Sequence, residues 1–428
     1  MSRGELLGIG AVLSRSAKEI RTRESIAQLV AMGGGAVSLA TGPFVFHPAG
    51  TPLSGLTSIA TVASVLVAVL GGASFATEYV RVARRTVRWR RRPVVWRVRD
   101  AAALTIAAAS MAAMAVLAAY TVFQRMFQGL LLGRIAATLM AAVTVAVACY
   151  FLTIIAQDMS TSGVTVLLGA FLGAGVVAAT LSADNPGWWQ SNFSALGVST
   201  ETSASAFNFT VITAGVVLTT LADYLADDLS RWPGVTQPII RAVRILLIVI
   251  GLALIGLGMV PVNTSRLFHD ANAVTVIVGF GGLILAAPFL LRGLPRPFLL
   301  STAVLGALIV GIVVLWRFFG VYNFTAVELL SVLVIFAWLG LFTRTVGSRP
   351  PGEVEDVDQG QAVRPVAELD VAVSQPRPEP AATHEQAPAA VRQRSDRVQL
   401  GQPSTLLVAA GIGMAAGAVL VTILRRNG

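Results

Sequence analysis

Six polar side chains lie close to the ends of long apolar stretches, at the depth where a membrane protein meets lipid head groups. Polar groups at this depth are energetically costly unless they pair with one another or face a cavity. Together these six side chains could bind a lipid head group. The candidate residues are Asp184, Asn192, Ser194, Asn208, His269 and Asp270.

The same residues admit other interpretations. The Asn-Pro-Gly run at 185–187 is typical of a turn, and Ser194 or Asn208 could cap a helix. Alternatively, His269 and Asp270 could act as acid and base in an enzyme that modifies a lipid. The chain has no H-E-x-x-H, G-x-S-x-G or Walker glycine loop, so its residues favour binding over catalysis and indicate no metal and no cofactor.

A second candidate site lies in the basic segment 81–99, where arginines alternate with Trp89 and Trp96. Basic side chains attract anionic lipids, and tryptophan prefers the membrane interface. The segment is therefore either a topology signal without a specific ligand or a contact for anionic lipid. The candidate lipid contacts are Arg88, Arg90, Arg91 and Arg92.

The elements that carry these residues are predicted to be transmembrane helices. With 55% hydrophobic and 13% charged residues among 428, the chain has more apolar side chain than a soluble surface tolerates. Ten apolar stretches approach the roughly 20 residues that cross a hydrocarbon core. The predicted spans are 26–46, 58–80, 101–122, 132–156, 163–181, 206–226, 243–262, 272–291, 298–316 and 327–345.

The fold class that follows is an all-α polytopic membrane protein, with about ten transmembrane helices in a bundle and an eleventh near the C-terminus. The single cysteine, Cys149, lies in an apolar run, which excludes disulfide frameworks and cysteine metal clusters. The formal net charge of +10 comes from arginines beside apolar spans rather than on a polar face. This placement favours lipid contacts and argues against nucleic acid as a partner.

The arginines also predict an orientation. They concentrate in alternate breaks between the spans, whereas the breaks at 47–57 and 182–205 contain neither lysine nor arginine. Because positively charged loops stay in the cytoplasm, the N-terminus is predicted to be cytoplasmic. The expected location is the plasma membrane or the bacterial inner membrane, with the polar candidate site facing outward.

The C-terminal part differs in composition from the rest. Residues 346–403 are rich in proline and acidic side chains and have few large apolar ones, which predicts a disordered cytoplasmic linker. Residues 404–428 are predicted to form a hydrophobic helix that either spans the membrane or lies on its inner interface. Its G-x-x-x-G spacing at 413–417 permits close helix packing, either in self-association or with a protein partner.

One outer loop carries a resemblance to a known family. The loop 183–197 contains two adjacent tryptophans and ends in Ser-x-Leu-Gly at 194–197, and Phe-Asn follows at 207–208. This pattern resembles the bacterial family labelled domain of unknown function 998, which is similar to the DRAM autophagy modulators and the GPI-lipid remodelling proteins. His269, followed by Ala271, matches the outer histidine of that wider group. The resemblance covers residues 163–345.

The resemblance implies a six-helix domain at 163–345 whose better-studied relatives act on or respond to membrane lipids. Ahead of it we place an N-terminal hairpin with the basic segment at 1–100 and the third and fourth spans at 101–162. The predicted function is to bind or organise membrane lipids through the outward-facing polar site. The alternatives are an intramembrane lipid-modifying enzyme and a small-molecule transporter, which the nearly uncharged spans disfavour.

Overall fold

The computed structural model describes residues 3–183, 185–198, 202–232, 234–291 and 293–348. Side chains are described from Thr22 onward, apart from those of Val87 and Thr202. The predictions made for Asp184, for the linker beyond Ser348 and for the C-terminal hydrophobic helix lie outside these residues.

Ten helices in the described part of the chain are long and apolar enough to cross a membrane, which confirms the predicted fold class. A π-helical turn, Val67–Gly71, joins α2 and α3 into a single span. Two short strands, β1 (Thr51–Pro52) and β2 (Leu131–Leu132), pair antiparallel. The helices are α1 (Arg3–Val45), α2 (Ile59–Leu66), α3 (Gly72–Ala83), α4 (Val87–Arg91), α5 (Val94–Met126), α6 (Arg134–Gln157), α7 (Thr161–Leu181), α8 (Thr202–Leu229), α9 (Gln237–Met259), α10 (Arg266–Leu290), α11 (Arg296–Phe319) and α12 (Phe324–Gly347).

Several helices extend one or two turns beyond the apolar stretches that predict them. Helix α5 begins at Val94 instead of 101, α8 at Thr202 instead of 206, and α10 at Arg266 instead of 272. Hydropathy marks only the part of a helix that needs a hydrocarbon environment, whereas polar first turns remain helical at the membrane surface. The basic segment 81–99 is therefore mostly helical rather than a loop, and Asn208 and His269 lie inside helices.

Helix α8 lies at the centre of the bundle. Of the most apolar stretch of 18 residues in α8, 67% is buried inside the protein, whereas the share for α11 is 17%. It packs against α5, α7, α9 and α12. Glycines allow the closest of these contacts, since a Cβ placed on Gly251 would lie 2.7 Å from the Gly215 carbonyl oxygen across the α8–α9 interface. The central helix thus carries residues to both ends of the molecule at fixed positions.

The first four spans pack beside this centre through α5. Helix α1 packs on α6, the α2–α3 span packs on α5 and α6, and α5 packs on α7 and α8. At the α1–α6 interface, Gly34 faces the buried Cys149 and Gly42 faces Thr138. The four additional spans therefore contact the remaining six mainly through one helix.

Connections between successive helices alternate between two ends of the bundle. We call the end with residues 84–93 and 234–236 the basic end. We call the opposite end, with residues 185–198 and 260–265, the histidine end. Side-chain contacts agree with this division, since Arg99 of α5 meets Asp223 of α8 at the former and Ser194 meets His269 at the latter.

Candidate functional site

The histidine end is covered by the loop 185–198, which is folded by its own short-range hydrogen bonds. The side chain of Asn185 accepts a hydrogen bond from the backbone N–H of Gly187 at 2.8 Å, which confirms the predicted turn. Two 3-10 turns follow, at Trp188–Gln190 and Phe193–Gly197. The loop is therefore a structured cap rather than an open connection.

Helix α12 holds this cap through its first turns. Asn323 caps the helix by accepting from the Ala326 N–H at 2.9 Å, and its amide nitrogen donates to the Trp189 carbonyl at 2.9 Å. One turn later, a Glu328 carboxylate oxygen accepts from the Phe193 N–H at 2.6 Å. A hydrogen bond from a backbone N–H to a charged carboxylate is stronger than one between two neutral groups. These contacts fix both 3-10 turns.

Ser194 and His269 form a direct pair under the cap. The Nδ1 atom of His269 lies 3.1 Å from the Val260 carbonyl oxygen, and Nε2 lies 3.1 Å from the Ser194 hydroxyl. Because a carbonyl only accepts, Nδ1 carries the proton and, in the neutral ring, Nε2 accepts from the Ser194 hydroxyl. The histidine is only 5% exposed. The two side chains are therefore in direct contact.

Asn208 reaches the same 3-10 turn from α8. Its amide nitrogen donates to the Gly197 carbonyl at 3.1 Å. A Cβ on Gly197 would lie 2.6 Å from the Asn208 amide oxygen and 2.8 Å from the Phe207 ring, so only glycine fits there. Ser194, Asn208 and His269 thus meet at Phe193–Gly197, and neither Ser194 nor Asn208 caps a helix.

Aromatic rings support the cap from beneath. Trp188 and Phe207 both pack edge-on against Phe193, with ring centroids 6.1 Å and 5.4 Å away. Leu196 is 2% exposed in the same apolar cluster. Trp189 is half exposed on the outer surface. The adjacent tryptophans therefore differ in role, because one packs inward and the other faces the surroundings of the protein.

Two further candidates in the described part do not join the Ser194–His269 pair. Asp270 faces Arg266 on its own helix at 3.6 Å, and its side chain is 57% exposed. Both histidine nitrogens contact other groups, so the two side chains form no pair in the described structure, and their alternative role as acid and base stays a prediction. The side-chain oxygen of Asn192 is buried and has no hydrogen-bond partner among the described residues.

Chemically, this arrangement can do two things. An imidazole that accepts from a serine hydroxyl while a carbonyl orients its other nitrogen has the geometry of a base beside a nucleophile. Beside this pair, the buried Asn192 oxygen and the Glu328 carboxylate add two further hydrogen-bond acceptors to the cap and its support. Among the described residues, no group of three or more His, Cys, Asp or Glu side chains is placed to hold a metal ion.

Residues 165–345 match the protein family described as "Protein of unknown function (DUF998)". The chain therefore contains a DUF998 domain. The DUF998 domain spans α7 to α12 and includes the whole cap, the Ser194–His269 pair and Asn208. No curated protein and no solved structure matches the chain. The similarity to DRAM and to the GPI-lipid remodelling proteins stays a prediction.

A second polar cluster lies at the basic end and joins the DUF998 domain to the preceding spans. It is not predicted from the sequence. Asp223 of α8, with a side chain 1% exposed, forms ion pairs with Arg92, Arg99 and Arg244. Asp100 pairs with Arg92 and Arg99, and the Thr220 hydroxyl donates to it at 3.3 Å. The only signal in the sequence is that these charges fall at equivalent depths of different spans.

The cluster has a marked excess of positive charge. Burial lowers the pKa of Arg92, but Asp100 and Asp223 outweigh it and hold that pKa above its ordinary value. The Arg88 guanidinium lies 3.1 Å from the ring centre of Tyr224, and burial lowers its pKa. Arginine stays protonated despite such shifts. Arg92, Arg99 and Arg244 pair with only two aspartates, and Arg88 lies beside them. The cluster therefore keeps a net positive charge.

Two of the four predicted anionic-lipid contacts, Arg88 and Arg92, belong to this cluster. Arg88 contacts Tyr224 and Arg92 contacts Asp100 within the same chain, and the side chain of Arg92 is only 17% exposed. Arg90 and Arg91 lie on the surface. The four arginines therefore fall into two classes, of which only the second is open to the surroundings of the protein.

Proposed function

We propose that the DUF998 domain binds a membrane lipid at the histidine end, with the lipid head group against the cap 185–198. The observation that carries this proposal is the buried side-chain oxygen of Asn192, which has no hydrogen-bond partner among the described residues and lies two residues from Ser194. A buried acceptor that stays unpaired costs about 1–3 kcal/mol. A head group that donates a hydrogen bond to it would offset this cost.

The polar groups around Asn192 favour a particular head-group chemistry. Glu328 places a carboxylate beside Phe193, and Asn192 contributes an amide oxygen. The groups at the cap that could bind a ligand are therefore hydrogen-bond acceptors. Hydroxyl and ammonium groups are the donors that lipid head groups offer to such acceptors. The proposed ligand is therefore a lipid whose head group carries a hydroxyl or a primary amine.

An exposed tryptophan on the cap supports the same proposal. Trp189 is 50% exposed beside Asn323, and tryptophan is enriched where lipid head groups begin. We further propose that the basic end faces the cytoplasm of a cell membrane. The cap would then contact lipids of the outer leaflet.

Lipid mass spectrometry of the purified protein tests the proposal. Asn192→Ala removes the unpaired oxygen without breaking a described hydrogen bond, so it is expected to lower the amount of one hydroxyl- or amine-bearing lipid at least fivefold. His47→Ala is the matched surface control, since His47 is exposed and lies outside the DUF998 domain. If Asn192→Ala and His47→Ala retain the same lipids, the cap is not a head-group site.

A second candidate function rests on the Ser194–His269 hydrogen bond. In a lipid hydrolase, the Ser194 oxygen would attack an ester carbonyl while His269 Nε2 takes its proton and passes it to the departing alcohol. Water would then release the fatty acid from Ser194. A fluorophosphonate probe should label Ser194 in wild-type protein and fail to label Ser194→Ala or His269→Ala. Absence of labelling in the wild-type protein would remove this candidate and leave the binding proposal intact.

A further inference from the structure

A cavity of about 530 Å³ opens at the basic end, between α3, α4 and the first turns of α5. Arg84 and Arg97 line it together with Trp89. The remaining wall is apolar and includes Val80, Val98 and Ala101. The cavity lies ahead of the DUF998 domain and at the opposite end of the bundle from the cap.

We propose that this cavity binds one anionic phospholipid, with the phosphate between Arg84 and Arg97 and the start of an acyl chain along α3 and α5. The site is independent of the head-group site proposed at the histidine end. With the basic end in the cytoplasm, the ligand comes from the cytoplasmic leaflet, where anionic lipids concentrate.

The charges of the two arginines are free for such a ligand. Arg97 donates to two backbone carbonyls, of Arg92 at 2.7 Å and of Arg90 at 3.1 Å, and these neutral acceptors leave its charge uncompensated. Arg84 is exposed and forms no ion pair or side-chain hydrogen bond with the described residues. The nearby carboxylates are occupied, since Glu78 pairs with Arg81, and Asp100 pairs with Arg92 and Arg99.

The carbonyl bonds also hold the Arg97 side chain in place. A positioned guanidinium binds phosphate with less loss of side-chain freedom than a mobile one. Its centre lies 5.9 Å from the Trp89 ring centroid, which restricts it further. Trp89 itself packs against Tyr79, with ring centroids 6.1 Å apart. One wall of the site is therefore already ordered.

The shape of the cavity favours a lipid over a soluble anion. A free phosphate would fill only a small part of 530 Å³ and would leave the apolar wall exposed to water. Val98 is 61% exposed and Val94 is 66% exposed at the rim. An acyl chain would cover this apolar surface, and Trp89 on the cavity wall is a residue type enriched at the membrane interface.

The test uses the full-length protein in nanodiscs of phosphatidylcholine with a minor fraction of phosphatidylglycerol. The bound phosphatidylglycerol is counted by native mass spectrometry. A basic side chain that contacts the bound anionic head group contributes about fivefold in affinity, so Arg84→Gln should lower occupancy about fivefold. The matched control is Arg90→Gln, because Arg90 is also exposed but does not line the cavity. An equal loss in both variants indicates only a diffuse surface potential and overturns the proposal.

A second variant tests the apolar half of the site without a change of charge. Val98→Trp fills the cavity from its exposed rim and should reduce phosphatidylglycerol occupancy at least as strongly as Arg84→Gln. Unchanged occupancy in Val98→Trp overturns the proposal. Displacement of the lipid by millimolar inorganic phosphate would also overturn it, because that result assigns the site to a free anion. Neither variant touches the cap, so the outcome is separate from that at the histidine end.

Discussion

Polar side chains hold the helices together at both ends of the bundle, but the chemistry of the two ends differs. At the histidine end, hydrogen bonds tie the cap to α8, α10 and α12; apart from the Glu328 carboxylate, the groups are neutral, and several of the acceptors are backbone carbonyls. At the basic end, two buried carboxylates meet three guanidinium groups from two helices and the segment before α5. Loss of one neutral partner leaves a single polar group unpaired, whereas loss of one carboxylate leaves several charges uncompensated.

The comparison requires that the two ends face opposite sides of the membrane, and this is the prediction with the largest effect. A reporter that is active only in the cytoplasm should be active when fused after Arg92 and inactive when inserted at Val198. The physical reason is the concentration of arginine at the basic end. The reverse activity pattern would invert the assignment of both lipid leaflets.

The next largest effect is expected at Asp223. Asp223→Ala leaves Arg92, Arg99 and Arg244 without their shared counter-charge, and breaking a buried ion pair costs about 3–5 kcal/mol. The free energy of unfolding should fall by that amount in a detergent titration of the purified protein.

The control for Asp223 lies one helical turn further along α8. Asp227 pairs with Arg231 at the surface, where the two side chains are 36% and 70% exposed. Exposed ion pairs contribute about 1 kcal/mol or less, so Asp227→Ala should change stability by no more than that. Equal effects of the two substitutions would mean that the cluster at the basic end is not a structural clamp.

The two ends also differ in how far the sequence predicts them. Ten spans are predictable because each is an apolar run of nearly constant length, and their polar first turns are not, because hydropathy does not detect them. The cap was predictable from residue types, since Trp, Ser and His near helix ends are unusual in an apolar chain. Its partners were not, because the carbonyls of Val260 and Gly197 are backbone groups that every residue carries.

The cluster at the basic end was missed for another reason. Arg92 lies just before α5 and Asp223 lies on α8, far away in the sequence, so their pairing depends on how α5 packs against α8. Sequence patterns within one helix carry no information about that packing. Many arginines in one segment also look alike in the sequence. Only the structure separates Arg92, which is paired, from Arg84, which has no ion pair with the described residues.

A smaller effect is expected in the apolar region that connects the two ends. Gly215→Ala would place a methyl group against the Gly251 carbonyl and Ile255 of α9, and overpacking of this kind costs about 1–3 kcal/mol. Gly281→Ala is the matched control, because nothing lies within 4 Å of its added Cβ. That variant should be neutral or slightly more stable, since alanine is the better helix former. Thermal unfolding of both variants measures the difference.

The smallest effect is expected for the Ser194–His269 hydrogen bond, and a double-mutant cycle isolates it. Ser194→Ala and His269→Ala should each lower the free energy of unfolding by about 1 kcal/mol, the usual net contribution of one hydrogen bond.

In the cycle, the double variant should lose less than the sum of the single variants, because either substitution alone already breaks the 3.1 Å contact. His269 also contacts the Val260 carbonyl, so its substitution should cost slightly more than that of Ser194. Additive losses would mean that the two side chains act independently, and the histidine end would then be held by Glu328, Asn323 and Asn208 alone. A coupling as large as the loss expected for Asp223→Ala would instead remove the contrast between the two ends, because neutral hydrogen bonds near water do not reach that energy.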